Sequence, residues 1–131
     1  MSAISVDKKI EIGQKAPVIE TIDGIKVTGE QGEADKTRII SFWNPKVPSS
    51  RIANKNYYDL YASGKENIEF ISICTDSDID LMYQVMGIDG VNPEYNYSYS
   101  EISPRVFKDY GVEETPKVFK ISSDGKISAF L

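Results

Sequence analysis

The sequence predicts an α/β domain: a mixed central β-sheet with flanking helices, opened by an N-terminal β-hairpin. Three observations carry this. Two near-continuous apolar runs, Thr37 to Trp43 and Ile68 to Cys74, each stop just before a helix-start pattern, as expected of strands buried on both faces. Two Asp-Gly pairs, Asp23-Gly24 and Asp124-Gly125, sit between short apolar segments, where positive φ suits a tight hairpin turn. The resulting order, βαβα and then ββ, implies a mixed sheet with helices packed on it.

Taken in order, residues 1–11 are polar and read as a loose arm, leaving 12–131 as the domain. Pro17 to Thr21 and Ile25 to Val27 form the arms of the first hairpin, and Gly29 to Lys36 is a charged loop. After the strand Thr37 to Trp43, Ser49 or Ser50 caps a helix running to about Ala62. Its buried face is read as Ile52, Ala53, Tyr57, Leu60 and Tyr61, with Gly64 just past its end. Beyond Ile68 to Cys74, Asp76 or Ser77 caps a second helix with Ile79, Met82, Tyr83 and Met86 turned inward. Gly87 to Ser100, dense in Asn, Pro and Tyr, reads as a loop. Ser103-Pro104 is an N-cap followed by Pro at the first helical position, with Val106, Phe107 and Tyr110 on that short helix's face. Lys117 to Ile121 and Lys126 to Leu131 close the chain as a hairpin.

At 131 residues with 40% hydrophobic and 27% charged content, the chain has the composition of an ordinary globular domain. Its net charge of −5 is spread without a basic stripe, which argues against nucleic acid or an anionic membrane as partner. No apolar run approaches the ~18 residues of a membrane span. Met1-Ser2-Ala3 does not open a signal peptide. The chain is therefore cytoplasmic if Met1 is native, or from the cell envelope if a leader has been removed. With one cysteine and no histidine, an intrachain disulfide, a Cys/His metal site and Ser-His-Asp or Cys-His catalysis are all excluded. No metal and no cofactor are expected.

The stretch Ile39 to Arg51, IISFWNPKVPSSR, joins a strand to a helix through a short loop. Thr115-Pro116 comes immediately before a strand, and Asp124-Gly125-Lys126 forms the hairpin after it. Together with Ile12-Gly13-Gln14-Lys15-Ala16-Pro17 near the start and Gly111-Val112-Glu113-Glu114-Thr115-Pro116, these motifs resemble the thioredoxin superfamily. The resemblance is to its bacterial branch of TlpA-like thiol–disulfide oxidoreductases and AhpC/TSA (peroxiredoxin-like) proteins, and it covers about residues 12–131. It implies a thioredoxin-like sheet, a cis peptide at Pro116, and a groove where an extended peptide pairs with the backbone of the preceding residue. It also implies an envelope location.

The family's Trp-Cys-x-x-Cys falls on Lys46-Val47-Pro48-Ser49-Ser50. Neither valine nor serine can do thiol–disulfide exchange. The acid found beneath the site in thioredoxin itself corresponds to Ser41. The expected site is therefore non-catalytic: a protein or peptide ligand held between Trp43, Lys46, Thr115 and Pro116, in a binding, chaperone-like or scaffold role. The alternative is a thiol–disulfide or antioxidant-type oxidoreductase, or a redox sensor, acting through Cys74, which ends a strand just before a helix start. Against it stands the reading of Cys74 as a small buried hydrophobe. The family's C-terminal helix is missing after the last hairpin, so an uncovered sheet face implies either self-association as a homo-oligomer or a truncated chain.

Three further features lie outside these motifs. Tyr95, Tyr97 and Tyr99 form either an aromatic platform or an edge laid on the core. Ser49-Ser50-Arg51 either holds an anion or caps a helix. Asp76, Asp78 and Asp80 lack the Gly and Glu of a calcium loop and suit a helix N-terminus.

Overall fold

A computed structural model describes residues 10–28, 36–62 and 67–131. Most of the N-terminal arm, most of the charged loop and Gly64 lie outside the described residues. The elements run β1 (Ile19–Glu20), β2 (Lys26–Thr28), β3 (Thr37–Trp43), α1 (Pro48–Tyr61), β4 (Ile68–Cys74), α2 (Ile79–Asp89), β5 (Tyr95–Tyr97), a 3-10 turn (Tyr99–Glu101), α3 (Pro104–Asp109), β6 (Lys117–Ile121) and β7 (Ile127–Phe130). β1 and β2 pair as a small antiparallel hairpin, and the other strands form one sheet in the order β5-β4-β3-β6-β7. β3, β4 and β5 are parallel, while β6 and β7 run antiparallel. This is the mixed sheet that the sequence predicts.

β3 sits at the centre, and its alternation divides the core. Ile40 and Phe42 point to one face, where they join Ile71, Ile73, Val106, Tyr110, Phe119 and Ile127. Phe42 packs against the rings of Phe107, Tyr110 and Phe119 at centroid distances of 5.3–6.0 Å. Tyr110 also donates its hydroxyl to the Pro17 carbonyl at 2.6 Å, tying α3 to the N-terminal segment. Ile39 and Trp43 point to the other face, covered by α1 and α2.

The structure corrects several readings. Gly87 to Ser100 is not a plain loop: it holds the end of α2, the edge strand β5 and a 3-10 turn. β5 is three residues beside Asn92-Pro93, too short to leave a periodic signal. In α1 the buried residues are Ser50 and Asn54, with Tyr57, Tyr58 and Tyr61 partly buried below them, whereas Ile52 and Leu60 are exposed. In α2 the buried side is Met82, Val85 and Met86, while Ile79 and Tyr83 face outward. The α2 cap is Asp78, which accepts from Leu81 N, and Asp76 in turn accepts from Asp78 N.

Candidate functional site

The junction between β3 and α1 is held by a compact set of hydrogen bonds. The Asn44 N–H donates to Ser50 Oγ at 2.6 Å, and Ser50 Oγ donates back to the Asn44 carbonyl at 3.3 Å. Asn44 Oδ1 accepts from Lys46 N, and the Asn44 carbonyl accepts from Val47 N. α1 then begins at Pro48, whose missing N–H is one of those a helix start leaves unpaired anyway. Its N-cap is Val47, which has no side chain able to cap. Ser50 is therefore not the cap, and neither is Ser49. Ser50 lies inside the first turn, fully buried, with its hydroxyl committed to Asn44.

Beneath the junction lies a neutral polar seam. Ser41 Oγ donates to Asn54 Oδ1 at 2.8 Å, and Ser72 Oγ reaches the same oxygen at 3.4 Å. All three residues are buried. Ser41 and Ser72 sit side by side in the β3–β4 register, so Asn54 bridges both strands to α1. The sequence reading noted Ser41 but missed Asn54 and Asn44. The usable signal was Asn54 four residues after Ser50, one turn along the same helix face.

The proposed groove residues separate. Trp43 does not line a groove: it is 1% exposed and packs against Cys74, Met82, Val85 and Met86. Strand alternation turns it into the α2 side of the core, where its Nε1 is buried without an acceptor among the described residues. Lys46 and Pro116 are exposed, and Thr115 is partly buried. The Lys46 ammonium pairs with Asp76 at 3.3 Å. The Asp76 carboxyl lies below the usual carboxylate range, mainly through the Asp78 N–H and further through Lys46.

The Thr115–Pro116 peptide is cis. The antiparallel register pairs Phe42 with Lys117, which carries the Thr115-Pro116 loop alongside Trp43 and Asn44. Thr115 makes no hydrogen bond through its backbone among the described residues. The two segments that the sequence singled out thus meet at one end of the sheet, with an unpaired backbone edge between them.

Cys74 ends β4 directly beside Trp43. It is fully buried, its Sγ donates to the Asp76 carbonyl at 3.5 Å, and burial pushes the thiol up to about 11. Of the other candidates, Arg51 is committed to Asp89 by two bonds of 2.7 Å. Tyr95 and Tyr97 pack on the first core cluster, and Tyr99 lies against the Phe107 ring. No aromatic platform or anion cradle forms from them.

The five-stranded order, the strand–loop–helix junction and the facing Thr-Pro loop define a thioredoxin-like fold. No family model matches the chain, and no curated protein matches it. Solved structures do. The C-terminal domain of a protein described as a thiol-disulfide oxidoreductase from Bacteroides thetaiotaomicron superposes with a TM-score of 0.68 at 26% identity, covering 92% of this chain and 86% of that one. A thioredoxin-like protein from Parabacteroides distasonis ATCC 8503 gives 0.72 at 21% identity, with 93% and 88% covered. A peroxiredoxin-like protein from Aquifex aeolicus gives 0.68 at 20%, with 96% and 78% covered. The chain has the thioredoxin-like fold of these thiol-disulfide oxidoreductase, thioredoxin-like and peroxiredoxin-like structures, which supports the resemblance to the thioredoxin superfamily. No helix among the described residues is long and apolar enough to cross a membrane.

Proposed function

We propose that this domain holds an extended polypeptide at the Thr115-Pro116 loop beside Asn44 to Ser50, without exchanging disulfides with it. The observation that carries this reading is the unpaired Thr115 backbone facing a junction that contains no thiol. An unpaired backbone edge offers main-chain hydrogen bonds to an added strand irrespective of its sequence. Val47 and Ser50 occupy the positions of the exchanging thiols, and the Ser50 hydroxyl is spent on the loop itself. Lys46, Pro48 and Ser49 supply the exposed rim. The reading includes an envelope location, which the bacterial oxidoreductase neighbours favour, and self-association through the sheet face beside α1, where Ala129 is half-buried and Leu131 exposed.

The test is amide NMR with a reduced, carboxymethylated polypeptide as unfolded probe. The expected result is saturable shifts at residues 44–47 and 115, unchanged in Cys74→Ala. Shifts confined to other surfaces, or none, would reject the groove.

A second reading is favoured by the neighbours, which are described as thiol-disulfide oxidoreductases. In it Cys74 is the working thiol of an oxidoreductase or redox sensor. It requires the side chain to leave the pocket formed with Trp43 and Met82, because the thiolate, not the thiol, reacts. Native alkylation of Cys74 at the rate of an unfolded thiol would favour this second reading over the first.

A further inference from the structure

At the opposite end of α2 from Lys46 and Asp76, a cleft of about 510 Å³ opens between the helix and the edge strand β5. Its walls include Tyr83, Met86, Gly87, Gly90, Glu94 and Asn96. We infer that this cleft receives a cationic side chain, arginine or lysine, presented by a polypeptide partner.

Four observations point there. Glu94 is the one formally charged residue in the lining, and its carboxylate has no hydrogen bond or ion pair among the described residues. Gly90 and Val91 both donate to the Met86 carbonyl, so Gly87, Ile88 and Asp89 keep carbonyls with no backbone donor among the described residues. α2 has no basic residue of its own in its last turn; Arg51 of α1 reaches that turn, but on the Asp89 carboxylate rather than on the free carbonyls. Asn96, also in the lining, has a buried Oδ1 without a donor among the described residues.

The other walls suit the stem of such a side chain. Tyr83 is 56% exposed, and its ring can take a cation on its face. Met86 offers an adaptable apolar surface for methylenes. Gly87 sits inside a helix, where glycine costs stability, yet a Cβ there would meet no atom within 4 Å. Packing does not demand this glycine; its effect is to keep the cleft open. The site shares no residue with the Asn44 to Ser50 junction.

The test is an amide NMR titration of the whole chain with Nα-acetyl-argininamide, with the isosteric but neutral Nα-acetyl-citrullinamide as control. The expected result is saturable shifts at Gly87, Gly90 and the Asn96 side-chain amide, with the neutral analogue weaker by about tenfold or more. Glu94→Gln should weaken the arginine probe several-fold with unchanged thermal unfolding, and Gly87→Leu should abolish its binding without lowering the thermal unfolding temperature. Equal binding of the two probes, shifts centred on Asp76 to Asp80, or no saturable shift at tens of millimolar would overturn the inference. Should Gly87→Leu fail to fold, Glu94→Gln against the citrulline control still decides.

Discussion

The two faces of the central sheet are built on different principles. The face under α3 is closed mainly by apolar contact, with Phe42 at its middle among Phe107, Tyr110 and Phe119 and the Tyr110 hydroxyl bonded at its margin to the Pro17 carbonyl. The face under α1 carries Ser41, Ser72 and Asn54 in a hydrogen-bonded seam between Ile39 and Trp43. The first face gains stability from area removed from water. The second gains a fixed position for α1, because buried hydroxyls and an amide are tolerated only in the one arrangement that satisfies them. The difference falls where the function is proposed. The seam and the Ser50–Asn44 clasp hold the junction with neutral groups, and no carboxyl lies among them to move a proton.

The largest expected effect is on the apolar face. Phe42→Ala should cost about 3–5 kcal/mol, read by urea denaturation with the slope unchanged. Asn54→Ala should cost less, about 1–3 kcal/mol, because it strands two buried hydroxyls. Replacing Asn54 by Leu and Ser41 and Ser72 by Ala together should recover most of that loss, since removing all partners leaves nothing unsatisfied. A cost for Asn54→Ala equal to that for Phe42→Ala would erase the distinction between the faces.

The smallest effect is a pH dependence at Cys74. Its folded thiol is raised to about 11, so the folded state holds the proton more tightly than an unfolded cysteine near 8.5. Full stability is present below the unfolded value and declines as pH rises between the two. The expected loss at pH 9 is below about 1 kcal/mol, and Cys74→Ala should remove this component. A Cys74 contribution that stays flat from pH 8 to 10 would place the thiol in water rather than in the core.

The apolar face was legible from the chain; the polar one was not. Thr37 to Trp43 and Ile68 to Cys74 announced themselves as buried strands, and Asp124-Gly125 announced the last hairpin, because continuous apolar runs and positive-φ turns leave local marks. The inner side of α1 is not legible because its first two turns bury Ser50 and Asn54, while apolar spacing points to Ile52 and Leu60, which are exposed. Trp43 was given to the groove for its place in the motif. A single residue's shift along a strand reverses its face, and Trp43 points at α2. The meeting of Thr115 with Asn44 depends on the β3–β6 register, which no local signal prints.

The most direct test of the central claim is the reduction of insulin by dithiothreitol, followed by turbidity, with and without the domain. No acceleration over dithiothreitol alone is expected, and the same trace for Cys74→Ala. Acceleration by the natural chain that Cys74→Ala abolishes would contradict it, and would make the buried thiol the working group of the protein.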